Sequence, residues 1–416
     1  MRAWVRASGG LWLLGILSGC SAGEEAVRHT ARREELNLTI EAPVTAGREE
    51  YVCRYFVVPD GGFRVARFAQ QLDPRSHHLL VFRTSLTAAD VRDDLDRLIH
   101  DCDSDLKSHA ALQGILHGAQ PGEAELHYPE GVTLELVANE VLLVEHHVVN
   151  DSSTEISTHA ELTLLSADEH ALKNAGLFHF YDGAIDVPPL ARATTRMRCA
   201  VAEPLELIFL HGHMHQRGRA FHAWVRRGTE LLPLFESKSW NAPTQQLEPV
   251  YPVLAGDAIE FECEYENSGS TRVRAGLSAR DDEMCSLSAA YVTARGERLD
   301  PLAEGCGLDH SGIIGQGTLG CSGIEACLAN AVDSTANVLE AARVSQPCWL
   351  RACPDRAIAF QDLALCRYTS CAQICGLRAD TAGFVAAPSD PAACGACVDA
   401  HCGEPSARCT AAGCEP

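Results

Sequence analysis

Hydrophobic and polar residues alternate along most of this chain, in short runs separated by turn formers. LNLTIEAPVT and YVCRYFVVP, within residues 36–59, read as strands closed by Asp60-Gly61-Gly62. Residues 63–68 fit another strand, and Asp73-Pro74-Arg75-Ser76 is a turn leading into HHLLVF at 77–82. Residues 126–135 and 141–149 repeat the pattern, followed by Asn150-Asp151-Ser152-Ser153, a turn and candidate domain boundary. Further strands are predicted at 161–165, 177–181, 197–201 and 205–210. Residues 221–225 are expected to pair with the last of these, and 259–265 and 284–292 complete this half. A helical period is rare. The clearest case, TAADVRDDLDRLI at 87–99, predicts an amphipathic helix ending near Cys102. Many short strands and few helices indicate β-sandwich architecture.

The stretch LELIFLHGHMHQRG, residues 205–218, stands out. Leu205, Leu207 and Phe209 alternate with Glu206, Ile208 and Leu210, as on a strand with one buried face. The same spacing places His211, His213 and His215 on one face, where two imidazoles two residues apart can chelate one ion. A packed or hydrogen-bonded core histidine is the plainer account of any one of them, but the repeated spacing points to metal. Two other histidine pairs are adjacent in sequence. His77 and His78 would point to opposite faces of a regular strand, so sharing an ion requires the strand to begin, bulge or twist there. Of His146 and His147, only one can face a given pocket.

Composition changes at Gly307. Thirteen of the 19 cysteines lie from Cys306 onward, between alanine-rich segments at 326–342 and 356–365 that look helical. CGACVDAHC contains a CxxC, but no second CxxC matches it, and structural disulfides are the better reading. The hydrophobic content of 46% against 22% charged residues lets most of the chain bury a core. A net charge of −22 argues against nucleic acid and anionic membrane surfaces as partners. Arg2 and Arg6, the apolar run at 11–17 and the small residues after it form an export signal. Leu17-Ser18-Gly19-Cys20 also resembles a bacterial lipobox with Cys20 as the lipidated residue. A lipoprotein of the outer membrane or cell surface is expected, touching the membrane only through its lipid anchor. Setting Cys20 aside leaves an even number of cysteines, as an oxidising compartment favours.

Taken together and in order, four motifs resemble the copper type II, ascorbate-dependent monooxygenases, the family of peptidylglycine α-hydroxylating monooxygenase and dopamine β-hydroxylase. HHLLVF at 77–82 looks like the family's HHM-type segment, and EHHVVN at 145–150 resembles its LQVHYxN segment, which selects His147 over His146. HMHQRG at 213–218 matches HxHxxG, and CEYEN followed by DEMC matches the family's ending. The resemblance covers about residues 35–306.

It implies two antiparallel, jelly-roll-like β-sandwich domains, at 36–155 and 156–306, after a signal at 1–20 and a linker at 21–35. The disulfide-rich, helical module at 307–416 has no counterpart in the enzymes named. It implies two coppers per chain, one on His77, His78 and His147, the other on His213, His215 and Met284, facing each other across a cleft. A thioether suits Cu(I) and imidazoles suit copper generally. The implied reaction hydroxylates a substrate C–H bond with dioxygen and a one-electron reductant such as ascorbate, with His213, His215 and Met284 at the reacting side. The substrate would be a small molecule or peptide. The implied disulfides are Cys53–Cys102, Cys199–Cys306 and Cys263–Cys285. Where the peptide-amidating member grips a terminal carboxylate with Arg and Tyr, this chain has His211 and Ser288, which counts against a C-terminal glycine substrate. The alternative from another class is an exported copper-binding lipoprotein without turnover. A zinc hydrolase on the HxHxH strand would leave Met284 and the other histidines unexplained.

Overall fold

The computed structural model describes residues 34–102, 112–167, 173–242, 244–296, 312–332, 345–377 and 390–411. The export segment with Cys20 lies outside them, as does Cys306.

The chain is mainly β. The first half forms β1 (Glu35–Val44), β2 (Glu49–Val57), β3 (Phe63–Leu72), β4 (Ser76–Thr84) and β5 (Ile99–His100). Then come β6 (Leu112–Ala119), β7 (Gly122–His127), β8 (Val132–Leu136), β9 (Val141–Val149), β10 (Ile156–Ser166) and β11 (Lys173–Asn174). One sheet runs β1-β10-β3-β8-β11, with β7 also on β3; the other runs β5-β2-β9-β4-β6. The single strand expected at 126–135 is therefore two, split where the Val132 amide donates to the Pro129 carbonyl. β10 pairs with β1 and β3, so the strand expected to open the second domain completes the first sandwich instead.

The second sandwich contains β12 (Gly176–Tyr181), β13 (Asp186–Val187), β14 (Ala191–Ala200), β15 (Leu205–Met214), β16 (Gly218–Arg227) and β17 (Glu230–Ser237). It is completed by β18 (Gln245–Val253), β19 (Ala258–Asn267), β20 (Val273–Arg274) and β21 (Cys285–Thr293). Its sheets run β12-β21-β15-β18 and β14-β19-β16-β17, with β13 and β20 as a separate pair. Residues 221–225 are not the partner of the HxHxH strand: β15 pairs with β21 and β18. The turn closed by the Gly218 amide on the His215 carbonyl carries the chain into β16, in the opposite sheet. β18 holds Pro249 and Pro252, which an edge strand tolerates because one row of its amides needs no partner.

The expected helix at 87–99 is a series of turns, with i→i+3 bonds from Asp90, Asp94 and Arg97. Only Val91 of this segment is fully buried, so little apolar surface rewards a continuous helix.

β15 departs from simple alternation. Its ladders on both partners slip between Leu207 and Phe209, a β-bulge at Ile208. Leu205, Leu207, Leu210 and Met214 fill the core of the second sandwich. Ile208 and Phe209 instead join the core of the first, with Ala290 and Val292 from β21. The alternation expected to place Leu207 and His213 on one face is thus reset. From Phe209 onward the odd positions face the first sandwich, which is why nearly all of β15 is buried.

The disulfides Cys53–Cys102 and Cys263–Cys285 form as the resemblance implies. Cys199 is also disulfide-bonded. The C-terminal module contains α1 (Cys321–Val332), a short helix at 345–350, α2 (Arg356–Cys375), α3 (Pro391–His401) and α4 (Gly403–Thr410). Of the segment expected helical at 326–342, residues 326–332 lie in α1 and the rest lie outside the described residues. α2 runs ten residues beyond the stretch expected at 356–365. The CxxC cysteines Cys394 and Cys397 bond to Cys375 and Cys371, and Cys402 bonds to Cys366, a ladder joining α2 to the following segment. The module is docked on the second sandwich. The Ile314 amide donates to the Arg196 carbonyl, and the Arg198 amide to that of Gly312, on the free edge of β14. Ile313 is fully buried there with Ala184.

Candidate metal centre

β4 begins at Ser76, and its register on β9 slips between Ser76 and His78. This irregularity frees His77 and His78 from opposite faces, as two ligands on adjacent residues require. β9 sets His147 opposite His78. One ring nitrogen from each of His77, His78 and His147 lies within 4.8 Å of the others. His146 turns away, its Nε2 2.8 Å from Ser76 Oγ, so the register favours His147 of the two.

From the second sandwich, His213 and His215 enter the same space. Nitrogens of His77, His213 and His215 also lie within 4.8 Å of one another. The ring of His77 is centred 5.1 Å from each of those two, and His78 is 5.3 Å from His213. The resemblance implies two groups facing across a cleft. In this structure the groups abut, and His77 belongs to both.

A layer of polar groups orients the rings. Glu49 Oε1 accepts from His147 Nε2 at 2.9 Å, which puts the lone pair of the neutral ring on Nδ1. The Asp282 carbonyl accepts from His215 Nδ1 at 3.1 Å, leaving the lone pair on Nε2. Gln120 Nε2 stands 3.0 Å from His213 Nδ1 and 3.3 Å from His211 Nε2, while Gln120 Oε1 is buried with no hydrogen bond among the described residues. Half a turn of the amide would make that oxygen the acceptor for both rings and put the His213 lone pair on Nε2. Tyr51 stacks on His147 at 3.9 Å, and Trp240 lies 5.4 Å from His77. Glu283 accepts the backbone amides of His215 and Arg217, and so pins the turn after β15.

Burial, reinforced by neighbouring imidazoles, holds His77, His78 and His213 well below the usual histidine range. Burial brings His215 down to about 4, partly opposed by its bond to the Asp282 carbonyl. All four rings are therefore neutral at pH 7 and can donate lone pairs. Both ring nitrogens of His77 and of His78, and Nε2 of His213 and His215, are buried with no hydrogen bond among the described residues. Orphaned polar atoms on this scale are costly in a folded interior. A metal ion is the partner that would satisfy them, and a set of imidazoles suits copper.

Met284 precedes β21, whose ladder pairs His213 with Ser286 and Met214 with Cys285. Continued by one step, that register sets Met284 opposite His215. Tyr265 Oη donates to the Met284 carbonyl at 2.9 Å, fixing the backbone there. His211 lies outside both triads, hydrogen-bonded to Gln120 and Thr244 and paired across the ladder with Ser288. His179 in turn meets Ser288 Oγ at 2.8 Å. Sequence reasoning missed Glu49, Gln120, Trp240 and His117. His117 is buried and stacked 4.3 Å over Phe68. None of the four sits in a repeated spacing, and Glu49 and Gln120 become recognisable only once β2 and β6 are placed beside β9 and β15. A further group, Cys53, Cys102 and Glu145, is close enough to ligate, but its two sulfurs are joined as a disulfide.

Comparison with known proteins gives one family match. The model for the copper type II ascorbate-dependent monooxygenase C-terminal domain matches residues 174–299, which include His213, His215 and Met284. No curated protein matches. Among solved structures, the major capsid protein P2 of bacteriophage PM2 aligns at 10% identity over 62% of this chain and 97% of that one, with a TM-score of 0.30. A chain of Sulfolobus turreted icosahedral virus aligns at 10% identity over 64% and 60%, with a TM-score of 0.20. Likeness at that level carries no argument about function.

Proposed function

We propose that this chain is a copper-dependent monooxygenase that hydroxylates a substrate C–H bond with dioxygen and a one-electron reductant such as ascorbate. The observation that carries the reading is the convergence of five buried histidines from two sandwiches, two of which, His213 and His215, lie within a family match to such enzymes. His77, His78 and His147 would hold one copper, and His213, His215 and Met284 the other. Bound copper supplies the one-electron chemistry that activates dioxygen. The chain's own residues do the rest. Glu49 and the Asp282 carbonyl fix the ring tautomers of His147 and His215, and Gln120 does the same for His213. Tyr51 and Trp240 pack against the rings.

Beside the cluster, His211, Thr244, Ser288 and His179 form a polar row. Burial lowers His211 to about 4, so it is neutral at pH 7 and offers no charge to a carboxylate. A substrate seated on that row would be held by neutral hydrogen bonds. The disulfides fit an exported protein in an oxidising compartment, and Cys20 would supply a lipid anchor.

The test is copper stoichiometry together with ascorbate-driven oxygen uptake on the full chain. Two coppers, with substrate-dependent uptake lost in Met284→Ile while one copper remains, would support the reading. Unchanged turnover in Met284→Ile, or zinc in place of copper, would end it.

A further inference from the structure

Both triads draw on His77, and only one of them spans the two sandwiches. We propose that His77, His213 and His215 form a metal site in their own right, for a single borderline divalent ion bound between the sandwiches ahead of any other. This site does not depend on the monooxygenase reading, since a chain without turnover would possess it equally.

Three features carry it. The donor nitrogens already lie within 4.8 Å of one another, without Met284. They are pre-aimed. His215 Nε2 carries the lone pair because Nδ1 is spent on the Asp282 carbonyl, and His77 has two buried nitrogens with no hydrogen bond among the described residues. For a borderline divalent ion a third imidazole is also a better ligand than a thioether, so His77 should outcompete Met284.

The sandwiches are held in position for it by a strap from the second onto the first. Tyr51 Oη donates to the Leu277 carbonyl at 2.7 Å, and Ser278 Oγ to Glu49 Oε2 at 2.8 Å. The Ala279 amide donates to Glu49, and Arg280 binds the Gly47 carbonyl and Asp151. Glu49 thus contacts both His147 and the strap. Because the triads share His77, a second ion would find only His78 and His147 uncommitted and should bind more weakly.

The experiment is a Co(II) titration of the metal-free full chain, with d–d absorption reporting the ligand set and equilibrium dialysis the affinity. Far-UV circular dichroism and thermal unfolding check that each variant is folded. His77→Gln and His213→Ala should each weaken the first equivalent by more than about 100-fold, beyond the loss typical of outer-layer groups. His147→Ala and Met284→Ile should each change it by less than about threefold, with the first-equivalent spectrum unaltered; His147→Ala should weaken the second equivalent, and Met284→Ile should weaken neither. A first equivalent weakened by His147→Ala as much as by His213→Ala would assign it to the first sandwich. One weakened by Met284→Ile and indifferent to His77→Gln would assign it to the second. Either result overturns the proposal while leaving the monooxygenase reading standing.

Discussion

Gly212, between His211 and His213, offers a sharp test of how the centre is built. Its φ lies outside the left-handed range, so an alanine there meets no backbone strain and acts only through volume. A methyl at this position would lie 2.8 Å from Phe221 Cδ1 and 2.9 Å from Cε1 and Cγ. Ordinary carbon contacts sit at about 3.5–4.0 Å, so ring and strand must part by roughly 0.7 Å or more. Phe221 has little room to yield. It is fully buried, stacks on Phe261 at 5.9 Å and meets Phe235 edge-on at 5.7 Å. Overpacking of this kind costs about 1–3 kcal/mol. The displacement would be taken up by β15, toward the first sandwich, carrying His211 and His213 with it. Gly212→Ala should therefore lower stability by that amount in urea unfolding and also weaken metal binding. Phe221→Leu, which shortens the ring side chain, should recover most of the binding when combined with it, a coupling that a double-mutant cycle measures. Wild-type stability and metal affinity in Gly212→Ala, or losses unaffected by Phe221→Leu, would refute the idea that this contact sets the position of the strand.

Burial raises Asp182 from 3.8 to about 6, partly opposed by bonds from Thr195 and the Ala184 amide. The folded state keeps a proton there that the unfolded chain releases near pH 4, so this contribution is full below pH 4 and lost as pH rises to 6. It amounts to about 3 kcal/mol at most, and Asp182→Asn should flatten the pH dependence of unfolding in that window; an unchanged slope would refute it. Gln120→Met removes the amide from His213 and should weaken metal binding about 10–100-fold in dialysis without altering the circular dichroism spectrum; unaltered affinity would show that Gln120 does not orient the ring. Ile313→Asp places a charge in a fully buried contact and should destabilise the chain by more than about 3 kcal/mol. Folded protein from that variant should still bind metal, since among the described residues no ring of the cluster touches the module, and loss of metal from folded material would contradict this.

The strand order of residue types showed most of the β architecture, because alternation reports burial directly. β9 runs over the residues read as strand, and β4 has the irregular start that two neighbouring histidines demanded. β15 shows what alternation conceals. The bulge at Ile208 leaves the composition of the strand unchanged while exchanging its faces, and a buried strand shows no polar face to betray the exchange. The missed strand β18 carries two prolines, which read as breaks until an edge position makes them harmless. The pairs His77-His78 and His213-His215 were legible as spacings along one stretch of chain, and the resemblance added His147 to the first. Their fusion through His77 was not, because it depends on how two sandwiches meet, and Glu49 and Gln120 look like ordinary surface residues until that meeting occurs.

The strap at residues 277–280 and Met284, proposed above as a copper ligand, occupy one short stretch of chain. Parting the sandwiches would pull on the segment that carries Met284, and through Glu283 on the backbone amide of His215. On the proposed copper reading, a bulky substrate that parts the sandwiches would also change the ligand field at the metal. A metal spectrum recorded while candidate compounds are added becomes a strain gauge for the interface, able to rank compounds by fit even where none is turned over.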